Sequence, residues 1–285
     1  MTPIITQEGM FIGAGGVELY ECSWLPEGSP RAVVILCHGV ADHSGRYPHL
    51  IARLAGAGYA VCAFDHRGHG HSAGERLHVE RFGLYAEDLK VVRDRVAARY
   101  PDLPLYLFGH SMGSAVALTY LLDHPNDVAG LIASGVALYA GEGFPPIMLK
   151  LNMLLSRWLP RLRLTKIPTE GVSRDQAWVA ATRADPLVYH GPGTARLGAE
   201  ILTALERLRP RLGEITLPLL ILQGERDILV GDQGARLLYE RAASADKTLR
   251  VYGGAYHEVF NDLPASREAV LGDVVGWLDA RVKDV

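Results

Sequence analysis

No run of 18 apolar residues occurs anywhere in the 285-residue chain, so the sequence predicts no bilayer-spanning helix. Charge of one sign is also missing. With 29 basic against 32 acidic side chains the net charge is −3, which argues against a nucleic-acid binder, whose domain is normally strongly basic. The opening residues MTPIITQEGMFIG lack a basic stretch leading into an apolar core, so no secretory signal and a cytoplasmic location are expected. Cysteine is scarce. Cys22, Cys37 and Cys62 lie in apolar, strand-like runs without metal-type spacing, and are expected to be buried free thiols in a reducing compartment. Cys37 and His38 are neighbours on a strand and point to opposite faces, which excludes a thiol–imidazole couple. His66, His69 and His71 of DHRGHGHS match no zinc pattern and sit in a glycine-rich loop. Neither a metal nor a cofactor is expected.

What the sequence does have is alternation. GMFI and VELYECSWL, separated by GAGG, read as an antiparallel hairpin. Then RAVVILCHG, YAVCAFD, PLYLFGH and DVAGLIASG read as short apolar strands. Between them lie the helical patterns YPHLIARLAGAG, FGLYAEDLKVVRDRVAARY and MGSAVALTYLLDHP. Continuous apolar strands separated by helices indicate an α/β protein, a mostly parallel sheet covered on both faces. The alternation stops near Tyr139 and resumes with LPLLILQG, a helix from about Asp232, the strand KTLRVYGG and a helix from about Ala265. Three parts are expected: a core in residues 1–138, an inserted cap in 139–212, and the rest of the core in 213–285.

Within this order FGHSMGSA (108–115) places Ser111 between a strand and a helix. A sharp strand-to-helix turn lifts a hydroxyl above the sheet and aims helix N–H groups at it, the serine elbow of α/β-hydrolases. A serine hydroxyl needs a base, and the base an orienting acid. In this fold they follow in the order acid, then histidine. His257, in GGAYHEV after the last strand, is the expected base. Asp227, just past LLILQG, is the expected acid. Glu225 sits nearer the strand, and Asp232 suits the cap of the following helix. Backbone N–H groups of Val40 and Met112 are the expected oxyanion donors.

The blocks HGVADHSGRY, FDHRGHGHSAG, GHSMGS, ADPLV and GAYHEVFND, in this order, resemble the monoacylglycerol lipase family of capped α/β-hydrolases. The resemblance runs from about Gly16 to Leu278 and is weakest in the insert. It implies a serine hydrolase cleaving long-chain monoacylglycerols, with a triad matching Ser111, Asp227 and His257. It also implies polar contacts to the glycerol moiety from the HGVADHSGRY loop, including Asp42 and Arg46. The chain departs from the family pattern at Asp42, usually glutamate, at Ser114, commonly glycine, and at Thr182, often tyrosine and part of the alcohol pocket. A lysophospholipase, a short-chain carboxylesterase, or a non-catalytic receptor on the same scaffold are the other readings. Dehalogenases and epoxide hydrolases of this architecture use an aspartate nucleophile instead.

In the insert, PIMLKLNMLLSRWL (146–159) has an apolar face at Ile147, Leu151, Leu154, Leu155 and Trp158. This face is expected to pack on the core or the substrate tunnel. Leu149 and Met153 form a second apolar stripe, which a helix touching only the protein body does not need and which is expected to face outward and matter at an interface. From Lys150 to Ala184 there are seven basic and two acidic side chains, a net of about +5. A basic, apolar cap suits a membrane or micelle surface presenting the lipid ester, or a partner subunit in a homodimer.

Overall fold

A computed structural model describes residues 5–140, 145–168 and 170–282. The chain begins with the hairpin β1 (Ile5–Ile12) and β2 (Glu18–Leu25). It continues through β3 (Ala32–Cys37), α1 (Pro48–Gly56), β4 (Tyr59–Phe64), α2 (Gly83–Arg99), β5 (Leu105–His110), α3 (Met112–Asp123) and β6 (Gly130–Ser134). The next elements are α4 (Pro146–Ser156), β7 (Arg163–Thr165), α5 (Gln176–Ala184), β8 (Gly193–Thr194) and α6 (Ala195–Leu208). Then follow β9 (Leu219–Gly224), α7 (Gln233–Arg241), β10 (Lys247–Tyr252) and α8 (Pro264–Asp279).

Eight strands form one sheet in the order β1-β2-β4-β3-β5-β6-β9-β10. The β1–β2 and β2–β4 pairings are antiparallel, and all others in this sheet are parallel. Side chains alternate across a strand, and β3 shows what that does here. Val33, Ile35 and Cys37 join a core with Leu89 and Val92 of α2, Val116 of α3 and Leu205 of α6. Val34 and Leu36 join the opposite core with Leu50 and Leu54 of α1 and Val270 and Leu278 of α8. A strand buried on both faces cannot alternate in polarity, which is why β3 reads AVVILC.

From β3 the chain crosses to β4 on one side, then returns to β5 on the other. The loops after β3 and β5 therefore diverge at their carboxyl ends and leave a crevice, the usual place for a ligand in such sheets. Among the described residues, the segment between β6 and β9 adds no strand to this sheet. Its own β7 and β8 pair antiparallel with each other, a short ladder that the sequence pattern does not signal.

Helix α4 overturns the expectation for its faces. Asn152 and Ser156 are buried, and Leu149, on the same stripe, lines a cavity that Ser111 also lines. Ile147, Leu154 and Trp158, expected inside, are 64%, 64% and 74% exposed. Leu149 and Met153 are thus not one outward stripe, since Leu149 faces the cavity and Met153 is exposed. The physical reason is that this helix is apolar nearly all round, so hydrophobic periodicity cannot choose its face. Packing against α6 does. An added Cβ at Gly198 of α6 would lie 2.8 Å from Asn152 Cγ, so the two helices approach through a glycine and a small polar side chain. Asp232 is a smaller correction. It stands before α7, but its carboxylate accepts from Arg236 Nε at 2.6 Å and makes no capping bond.

Candidate active site

Ser111 is the residue between β5 and α3, with φ 52° and ψ −122°, a left-handed conformation that L-residues adopt only when held. Three bonds hold it. Its N–H donates to Ser134 O at 2.9 Å, and its carbonyl accepts from Ser114 N at 2.9 Å and Ser114 Oγ at 2.6 Å. The Ser114 hydroxyl also accepts from Ala137 N at 3.1 Å. The serine that replaces a common glycine therefore ties the elbow to the loop after β6. Gly113 is required by close approach: a Cβ there would lie 2.1 Å from Cys37 O.

His257 Nδ1 and Asp227 Oδ2 are 2.7 Å apart, both residues buried. Asp227 is held by Gln223 Nε2 at 3.0 Å on Oδ2 and by the N–H groups of Leu229 and Val230, at 2.9 and 3.1 Å, on Oδ1. Burial opposes the charge of its carboxylate. The His257 ring and these donors outweigh it and keep the acid below its ordinary pKa. Burial likewise opposes protonation of His257, yet the adjacent carboxylate dominates and raises the imidazole above its ordinary value. The rival acids lie elsewhere: Glu225 accepts from Gly254 N at the surface, and Asp232 pairs with Arg236.

Ser111, His257, Val40 and Met112 line one predominantly apolar cavity, together with Leu149 of α4 and Ile201 and Leu205 of α6. Asp42, Arg46 and Thr182 line it as well. Arg46 is buried within a polar lattice. Its Nε lies 2.9 Å from Asp42 Oδ1, an ion pair without straight hydrogen-bond alignment. Its Nη2 donates to both oxygens of Glu258, at 3.0 and 3.2 Å, and its Nη1 donates to Thr182 Oγ1. The guanidinium carbon stands 4.8 Å from the centre of the Trp178 ring. Burial works against this cation, but Asp42 and Glu258 outweigh it and raise the pKa further. Tyr47 OH donates to Asp42 Oδ2 at 3.0 Å.

Sequence reasoning finds Asp42, Arg46 and Thr182, but misses Glu258, Trp178, Asn261 and Gln223. Trp178 Nε1 and Asn261 Nδ2 donate to Glu258 Oε2 at 2.7 and 3.0 Å. A glutamate directly after the expected base, in YHEVF, is the one signal that points to this lattice. His66 and His69 pack with His38 ring against ring in the core, and the His71 ring lies 4.9 Å from that of Tyr20; among the described residues no cluster of side chains fit for a metal ion occurs. All three cysteines are buried and free. Among the described residues no helix is long and apolar enough to cross a membrane.

A mostly parallel sheet with a strained serine at the strand–helix turn, facing one cavity with a bonded Asp–His pair, defines an α/β-hydrolase. A family model described as "Serine aminopeptidase, S33" matches residues 28–264. The monoacylglycerol lipase of Mycolicibacterium smegmatis is 38% identical over 95% of this chain and 96% of its own. The human monoglyceride lipase is 36% identical over 95% and 89%. The crystal structure of the Paleococcus ferrophilus monoacylglycerol lipase superposes with a TM-score of 0.82 at 31% identity, covering 98% of this chain and 99% of the other. The chain belongs to the monoacylglycerol lipase family of carboxylic-ester hydrolases.

Proposed function

We propose that this protein hydrolyses long-chain monoacylglycerols to fatty acid and glycerol through an acyl-enzyme on Ser111. The observation that carries the reading is the single cavity. Its wall holds Ser111 and the Asp227-oriented His257 together with apolar side chains such as Leu149, Ile201 and Leu205 and the polar residues Asp42, Arg46 and Thr182, which supports an acyl chain and a polar alcohol in one site. His257 removes the Ser111 proton as the hydroxyl oxygen attacks the ester carbonyl. The N–H groups of Val40 and Met112 take the charge on the tetrahedral oxygen. Collapse releases glycerol, which receives the proton from His257, and the same imidazole then deprotonates the water that frees the acid. Asp227 holds one tautomer throughout.

Residues 139–212 act as a cap that shelters the acyl chain. At the alcohol end Asp42 is the direct acceptor for a glycerol hydroxyl, whereas Arg46 and Thr182 hold it in place through the lattice. The outward face of α4 and the turn that follows it, with Ile147, Leu154 and Trp158 exposed beside Lys150 and Arg157, supports peripheral contact with a membrane or micelle. The same patch in a homodimer would shift the elution volume with protein concentration.

Initial rates on monooleoylglycerol, dioleoylglycerol and lysophosphatidylcholine, presented in the same detergent, test the substrate class. The monoacylglycerol is expected to give the highest kcat/KM. Faster turnover of the lysophospholipid would replace this reading with a lysophospholipase.

A further inference from the structure

The apolar wall of the cavity includes a polar spot that ester hydrolysis does not use. Asn152 of α4 lies in the cavity wall, 1% exposed, with its Nδ2 donating to Thr165 Oγ1 at 2.6 Å. Its Oδ1 is buried without any partner. Thr165 lines the same cavity, and so does Gly198, whose missing side chain leaves room for the amide. Around them the wall is Leu149, Leu197 and Ile201. A buried amide oxygen left unpaired in such surroundings is unfavourable, whereas a leucine would fill the space without that cost.

The donor and acceptor pattern defines what completes the spot. Thr165 Oγ accepts from the amide and keeps its own proton to donate, while Asn152 Oδ1 can only accept. A group that both donates and accepts, and carries no charge, satisfies both at once. An alcohol has this character. If the amide is turned over, its NH2 becomes the free end, and an alcohol still fits. A carboxylate does not fit. The adjoining cation on β7, Arg163, is committed to Glu75 and to the carbonyls of Arg76 and Pro192.

We infer that the cavity recognises a hydroxylated acyl chain, with Asn152 and Thr165 binding the hydroxyl at one fixed distance from the ester. This rests on the proposed hydrolysis of monoacylglycerols and specifies which acyl group is preferred. The pair determines specificity and takes no part in bond breaking.

The test compares glyceryl esters of a series of monohydroxystearic acids, differing only in hydroxyl position, with glyceryl monostearate in the same micelles. The enzyme is expected to favour one narrow range of positions by about ten-fold in kcat/KM over the remaining isomers, the worth of one buried hydrogen bond and its unpaired counterpart. Asn152→Leu and, independently, Thr165→Val should erase that preference. Each variant is read as the ratio of hydroxylated to plain substrate, so a general loss of activity cancels. Calorimetric binding of the free hydroxystearic and stearic acids to Ser111→Ala protein gives a readout without turnover and should show the same positional preference. A flat response to hydroxyl position in both assays would overturn the inference, as would ratios that neither variant changes. Failure to hydrolyse monostearate would instead count against the proposed activity, with the binding series still deciding this point.

Discussion

Asp227 and His257 are coupled at 2.7 Å in a buried site, so replacing one changes the proton affinity of the other. Asp227→Asn should lower kcat by about three to four orders of magnitude, because the imidazole no longer holds the required tautomer. The pH profile adds a second signature. The carboxylate raises the His257 pKa against the effect of burial. The neutral base is therefore lost as pH falls through a value above the ordinary 6.5 or so, and the acid limb of kcat/KM lies there. In Asp227→Asn the strongest raising partner is gone, burial is opposed only by the Glu258 and Asp42 charges, and the residual activity should extend to lower pH. An unmoved limb would mean that Asp227 does not govern the base, and a crippling Asp232→Asn would point to the other acid. Ser111, Asp227 and His257 are legible in sequence because strand ends and glycine spacing announce them. Glu258 and Asn152 are not, since their roles come from partners distant in the chain: Arg46, 212 positions from Glu258, and a glycine on another helix.

Between elements, Arg46 fastens α5 to the loop carrying His257 through Thr182, Trp178 and Glu258. Removing it strands a buried carboxylate, which typically costs about 3–5 kcal/mol. Arg46→Ala should lower the Tm by on the order of 10 °C and affect monoacylglycerol and aryl-ester substrates together. Asp42→Ala should instead raise KM for the monoacylglycerol more than for an aryl ester, which has no glycerol hydroxyls to lose. Differential thermal shift and paired kinetics check both. Helix α4 shows why element-level prediction fails in the segment between β6 and β9. Its outer surface is as apolar as its inner one, so burial cannot be inferred from hydrophobicity. Ile147→Ser with Leu154→Ser and Trp158→Ser removes apolar area worth on the order of 4–8 kcal/mol at full insertion. The ratio of activity on vesicle-presented substrate to activity on a butyrate ester in water should fall by at least about ten-fold. An unchanged ratio removes lipid contact from the account.

Over the molecule as a whole, the parallel sheet was readable because strands buried on both faces must be continuously apolar, and AVVILC, YAVCAF and the LLIL that opens β9 are. Strand order was less so, since the crossing between β4 and β5 leaves no mark in the sequence, yet it creates the crevice that holds Ser111. Charge is unevenly spread, about +5 over residues 150–184 in a chain of net −3. The central claim is that this architecture serves to acylate one serine. Rapid quenching of the enzyme with a radiolabelled monoacylglycerol, followed by peptide mapping, tests it most directly. The label should appear on the peptide containing Ser111, decay at the rate of fatty-acid release, and be absent in Ser111→Ala. Label on another residue, or turnover that survives Ser111→Ala, would contradict the account.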